Sequence, residues 1–237
     1  MESPAYYLTA AGFATLTLIS YYALAVMFKH AVAKSDWSNE RKHNWMRRFT
    51  VAITGWALFL LAVSATGFFA DFSGFPPRII IVLSIPLIAT LIFTFSSGLR
   101  ELLPLIPARS LLRLQVFRVF VELLLWACFV QNLLPVQMTF EGRNFDIVSG
   151  ILGPLVAYYF SHSRKVMVAY NLVGLVLLIN IVATAILSLP TPFRVFMNEP
   201  SNTLVAHPPF ILLPGLLVPL AYGLHFLSFR QLSLLKK

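Results

Sequence analysis

Apolar residues along the chain fall into seven long stretches separated by short polar connections: Tyr6–Phe28, Phe49–Ala70, Ile79–Ser97, Val116–Leu134, Asp146–Phe160, Val166–Leu189 and Phe210–Phe229. Several of them, such as Ile79–Phe95 and Val166–Leu189, contain no charged residue and approach the roughly 20 residues that cross about 30 Å of hydrocarbon. A lipid-exposed segment must satisfy its own backbone hydrogen bonds, and no ten-residue alternating pattern of a membrane barrel is present, so the stretches predict helices. The expected fold class is an all-α, polytopic transmembrane helical bundle of about seven helices, forming a single domain over residues 1–237.

Proline and glycine mark where these helices are interrupted. Pro86, Pro154, Pro214 and Pro219 lie inside apolar stretches, where each removes a backbone donor and frees a carbonyl one turn earlier. The fifth stretch contains Gly150, Gly153 and Pro154, and the seventh contains Pro214, Gly215, Pro219 and Gly223. Small residues of this kind permit close helix packing, and they also occur where interrupted helices line a site. Between the third and fourth stretches, Arg100–Arg113 mixes leucines, arginines and two prolines. It reads as an interfacial elbow whose leucines enter the acyl boundary while its arginines meet lipid phosphates.

Composition supports this picture: 58% of the 237 residues are hydrophobic and 11% charged, against roughly 25% charged in a soluble domain. The net charge of +9 is distributed unevenly. Fourteen Lys and Arg residues lie in the connections after the first, third, fifth and seventh stretches, and three (Arg78, Arg143, Arg194) lie in the alternate ones. That asymmetry places the N-terminus outside and the C-terminus in the cytoplasm, with anionic headgroups of the bilayer as partners of the basic side. No basic segment is long enough to form a nucleic-acid-binding module, so no nucleic acid is expected as a partner. The segment Met1-Glu2-Ser3-Pro4 lacks the basic region of a signal peptide, so the first stretch is expected to be retained. Trp37, Trp45, Tyr6 and Tyr7 fit an interfacial aromatic belt.

The chemistry that lipid alone would not tolerate is concentrated in the fourth stretch. Gln115, Arg118, Glu122, Trp126 and Phe129 share one sector at 3.6 residues per turn, and intramembrane ionisable groups are functional candidates by default. Glu122 lies deeper than Arg118, which stands near the cytoplasmic end and can snorkel to the headgroups. Two readings follow: Glu122 binds a proton or cation with Arg118 holding its charge, or the two form a structural ion pair. The next connection adds Asn132, Glu141, Arg143 and Asp146. Asp146 directly precedes a helix, where it can cap free N–H groups; alternatively Glu141, Arg143 and Asp146 form the outer mouth of a cavity above Glu122. The ligand- or proton-binding candidates are therefore Glu122, Arg118, Gln115, Asp146, Arg143 and Asn132.

At these positions the chain resembles an uncharacterised family of small bacterial multi-pass membrane proteins, through Gln115, Arg118, Leu134-Pro135, Gly142, Asp146, Gly150 and Pro154. The resemblance covers about 40 residues and implies a multi-pass protein of the bacterial inner membrane. It carries no established activity. Members often have Gly before the aspartate, where this chain has Phe145.

Other chemistry is excluded or weak. With Cys128 alone, no intramolecular disulfide or paired-cysteine metal site is possible. Every lysine lies in a basic connection or at a helix end, so no mid-helix Schiff base can form. Tyr222, His225, His30, His43 and His162 show no metal or haem spacing, and neither a metal nor another cofactor is expected. Asn171 and Asn180 are nine residues apart, hence on opposite helix faces. No nucleophile elbow, Walker loop or catalytic carboxylate pair occurs, so no enzyme is expected. The leading expectation is a small-solute or proton-coupled transporter or binding protein with its polar site on the fourth helix. The alternatives are a seven-helix sensory protein acting through a partner and a structural subunit of a membrane complex.

Overall fold

The computed structural model describes residues 3–235, which are overwhelmingly α-helical and contain no strand. Met1, Glu2, Lys236 and Lys237 lie outside the described residues. Nine α-helices follow in order: α1 Pro4–Lys34, α2 Asn39–Ala65, α3 Ile79–Thr94, α4 Ser97–Leu102, α5 Ala108–Leu114, α6 Phe117–Val130, α7 Asp146–Tyr159, α8 Arg164–Ile186 and α9 Val218–Leu234. Each of the seven apolar stretches overlaps one long helix, though α2 starts ten residues earlier than its stretch and α9 eight residues later. Local chemistry sets several starts: the Ser3, Ser38 and Ser96 hydroxyls accept from the N–H groups of Tyr6, Arg41 and Leu99, which open α1, α2 and α4.

Length and apolar composition alone qualify α1, α2 and α8 to cross a membrane, and a fourth span results if α3 and Ser97–Leu105 form one path bent by 57°. This is fewer than the seven expected. The reason is geometric: α6 and α7 have 14 residues each, or about 21 Å of rise. The outward faces of the long helices are apolar, as Leu8, Leu18 and Tyr22 of α1 show at 73–74% exposure. Soluble proteins rarely present apolar patches of such extent to water.

Two expectations at the basic end need correction. The Arg100–Arg113 elbow folds into α4, a 3-10 turn and α5, and Leu99, Leu102, Leu103, Ile106, Leu111 and Leu112 are all buried in the protein rather than in an acyl layer. Those leucines pack under α1, α7 and α9 because the two prolines turn the chain inward. Trp37 is likewise buried. Its indole donates to the Glu101 carboxylate, the Arg41 guanidinium lies 3.9 Å over its ring, and Arg41 pairs with Glu101 at 2.8 Å. Trp45 is half-buried and stacks on Phe49 beside Phe28 and Phe93.

The approach to α9 shows how the freed carbonyls are satisfied. Leu213–Leu217 forms a π-helical turn directly before α9. Pro219 has no N–H and cannot bond the Gly215 carbonyl four residues earlier; the Trp56 indole of α2 donates to it instead, at 2.9 Å. The Tyr21 hydroxyl of α1 donates to the neighbouring Leu216 carbonyl at 3.0 Å. Gly215 also allows close approach, since a Cβ there would meet Leu60 at 2.3 Å. Trp56→Phe should therefore lower stability by about 1–3 kcal/mol, the cost of a buried acceptor left without a donor. Thermal unfolding of the purified chain in detergent checks this, and an unchanged midpoint would contradict it.

Candidate functional site

α7 does not begin where a simple hairpin with α6 would put it. Asp146, its first residue, is bonded to Arg118, the second residue of α6, and a Cβ at Gly150, one turn later, would meet Val119. The connection Gln131–Phe145 therefore returns from the end of α6 along part of that helix, where Asn144 bonds Glu122. It does so inside the protein, with Leu134, Gln137, Met138, Thr139 and Asn144 all buried. Irregular backbone is stable at such depth only when enclosed by protein. Here Gln137 donates to Ser188, Asn144 donates to the Met138 carbonyl, and the Asn144 backbone N–H bonds the Thr139 carbonyl.

Arg118 is the centre of this arrangement. Its Nε donates to Asp146 Oδ2 at 2.7 Å, and one Nη2 proton goes to Asp146 Oδ1. The other Nη2 proton reaches the Gly174 carbonyl at 3.3 Å, while Nη1 serves Ser149 Oγ at 2.7 Å and His225 Nε2 at 2.8 Å. All five guanidinium donors are thus matched to acceptors. The expected freedom of Arg118 to snorkel is wrong: the residue is 1% exposed and its guanidinium reaches the Gly174 carbonyl, near the middle of the 23-residue α8. Glycines make room for it. A Cβ at Gly174 would meet the His225 ring at 2.4 Å, and one at Gly150 would meet Val119 at 2.8 Å.

The bonding pattern also fixes the state of His225. A guanidinium has no acceptor, so Nε2 must accept and the imidazole carries its proton on Nδ1. That Nδ1–H faces Asn171 Oδ1 at 2.8 Å, and the Asn171 amide donates to Ser228 Oγ at 2.8 Å and to the Met167 carbonyl. Tyr170 donates to the Ser149 carbonyl. A continuous hydrogen-bonded chain therefore joins Asp146, Arg118, His225, Asn171 and Ser228 across four helices.

Glu122, one turn beyond Arg118, stands apart from that pair. It is 1% exposed; Oε1 accepts from Asn144 Nδ2 at 2.6 Å, and Oε2 has no hydrogen-bond partner. The expected alternatives both coupled Glu122 to Arg118, whereas the guanidinium's donors are taken by Asp146 and its neighbours. Glu122 lines a cavity of about 100 Å³. The cavity's walls come from α3 (Ile79, Ile80, Leu83), α6, α8 and the π-turn, and its polar lining is Glu122, Asn144, Asp146 and Asn202. Asn202 Oδ1 is also buried without a partner.

The six candidates are thus divided. Arg118, Glu122 and Asp146 converge, and Gln115 is buried one turn away, its amide 3.5 Å from the Ala221 carbonyl. Arg143 and Asn132 are exposed and lie outside the site; Arg143 covers the Phe196 ring, and Asn132 takes a positive φ of 55° at the end of α6. Asp146 does not cap its helix with its side chain, which is held by Arg118; its own N–H bonds Asn144 Oδ1. Phe145 has an ordinary negative φ of −90°, so glycine is not needed there. Trp126 leaves the polar sector and donates outside it to Glu141 at 2.6 Å. Sequence reasoning missed Asn144, Ser149 and His225. Asn144 carried a signal: an Asn two residues before a helix start commonly receives the N–H of that residue.

Fold and site together define an all-helical chain built around a buried, fully bonded arginine beside an apolar cavity. A family model described as a domain of unknown function (DUF8737) matches residues 76–233, more than half of the chain, and the chain belongs to that family. The matched stretch contains every residue of the site. No curated protein matches the chain, and no solved structure does.

Removing Arg118 strands a buried carboxylate. Arg118→Met should cost about 3–5 kcal/mol, and adding Asp146→Leu should restore most of the loss, because replacing both partners of a buried pair by apolar groups is near neutral. A double-mutant cycle on thermal unfolding tests the pairing; purely additive losses would refute it.

Proposed function

We propose that this chain is a multi-pass protein of the bacterial inner membrane that binds and moves a small solute coupled to a proton, with Glu122 as the group that takes up each in turn. One observation carries the reading: a buried carboxylate with one oxygen held by Asn144 and the other unpartnered, facing an apolar cavity. Desolvating a carboxylate without a counter-charge is costly, and a group kept in that state is a site candidate rather than a structural pair. The charged and titratable groups near Glu122 are Arg118, Asp146 and, beyond them, His225; Asp146 and Arg118 neutralise each other. Of the cavity lining, only Glu122 and Asp146 are ionisable.

In this reading seven segments cross the bilayer with the N-terminus outside, as the unequal distribution of Lys and Arg supports. The cavity then extends from mid-depth toward the outer end, where α3 begins and α8 ends, and the Arg118 network closes its inner side. The short α7 is a half-span preceded by a connection that dips into the protein, a form used where backbone borders a binding cavity.

Two experiments test these statements. Infrared difference spectra of the purified chain across a pH titration should contain a carboxyl band that Glu122→Gln removes while the variant stays folded; a variant with unchanged spectra and lower stability would make Glu122 purely structural. For orientation, a Cys128→Ala background carrying Met197→Cys should react with a membrane-impermeant thiol reagent on intact spheroplasts. Asp36→Cys should react only after lysis, and the opposite pattern would invert the topology.

A further inference from the structure

The cavity at Glu122 has properties that narrow the class of solute, an inference that rests on the function proposed above. Its two unpartnered polar atoms, Asn202 Oδ1 and, with the carboxyl ionised, Glu122 Oε2, are both acceptors, and both residues are 1% exposed. A ligand that satisfies them must bring donors. The remaining wall is almost entirely aliphatic, including Leu83, Val121, Leu178 and Ile181. Such a wall disfavours a solute that is polar all round.

Charge adds a second constraint. Asp146 has both oxygens engaged by Arg118, so Glu122 is the lining carboxylate left to give a cationic ligand its counter-charge. A hard metal ion such as Ca²⁺ or Mg²⁺ takes about six or more oxygen ligands, and two free acceptors in an aliphatic chamber do not supply them. No group of three or more His, Cys, Asp and Glu suited to a metal occurs among the described residues. A proton alone uses one oxygen and leaves the volume of about 100 Å³ unexplained. One water needs about 10–15 Å³ of such space and 2–4 polar partners, so the aliphatic end is not a water chamber.

Access matches the same chemistry. α3 and α8 both border the cavity, and their lining residues Ile80, Leu83, Val182 and Ile186 are half-buried or exposed. A ligand with an apolar tail can reach Glu122 between these helices. We propose that the cavity binds a small organic ammonium ion, its N–H donors on Glu122 Oε2 and Asn202 Oδ1 and its alkyl part against α3 and α8. Binding is an ion pair with hydrogen bonds, and no covalent bond is made or broken.

The test uses the full chain in detergent micelles, with n-butylammonium as probe and n-butanol and Na⁺ as controls, read by calorimetry and thermal shift. n-Butylammonium should bind saturably, and Glu122→Gln should weaken it at least tenfold. Neither n-butanol nor Na⁺ at equal concentration should bind or compete. Equal binding of n-butanol would reduce the cavity to a nonspecific apolar hole, and competition by Na⁺ would make it an inorganic cation site; either overturns the proposal without any variant having to fold. If Glu122 titrates in the infrared experiment but n-butylammonium does not bind, the ammonium inference fails alone. If Glu122 does not titrate, the functional reading fails first.

Discussion

Burying a guanidinium in the middle of an apolar bundle is tolerable only if every one of its donors finds an acceptor, and that requirement organises this molecule. The acceptors come from α7 (Asp146, Ser149), α8 (Gly174) and α9 (His225), so three helices must converge on one residue of α6. The helices can come that close because glycine stands at the contact positions, and α7 has to start within reach of the Arg118 guanidinium to bring Asp146 there. The inward return of residues 131–145 is the price of that placement. A desolvated charge of this kind gives little net stability in itself. What it imposes is register: sliding any of the four helices by one residue would leave donors unmatched.

Set beside this closed network, Glu122 is conspicuous for what it lacks. The two carboxylates sit within one neighbourhood, and their different surroundings separate their roles. Asp146 is held by a bidentate arginine, whereas Glu122 has a single amide donor and an open side. The first arrangement is rigid and complete. The second leaves room for exchange, which is what a binding group needs.

How much of this was legible in the chain depends on whether a feature is local. Helix positions were, because apolar run length and serine caps act within a few residues; α7, for example, begins at Asp146 as expected. The charged sector of the fourth stretch was also readable, since Arg118 and Glu122 are one turn apart. Depth was not. Counting residues from the basic connection put Arg118 near a membrane surface, but α4 and α5 fill the space beneath it with buried leucines. The pairing of Arg118 with Asp146 rather than Glu122 depends on the return of residues 131–145, whose Pro135, Gly142 and Asn144 look like an ordinary exposed loop. His225 and Asn171 come from distant stretches and meet only through helix packing.

The π-turn before α9 ties the two ends of the chain together in a way that bears on where this fold can be cut. Its carbonyls at Gly215 and Leu216 accept from Trp56 and Tyr21, both upstream of the stretch 76–233 that the family model matches. A fragment trimmed to that stretch would retain the arginine network intact yet lose both side-chain donors at the root of its last helix. The first two helices thus act as a built-in lid on a polar seam, and a chain lacking them would have to recruit donors from a neighbouring subunit or from water.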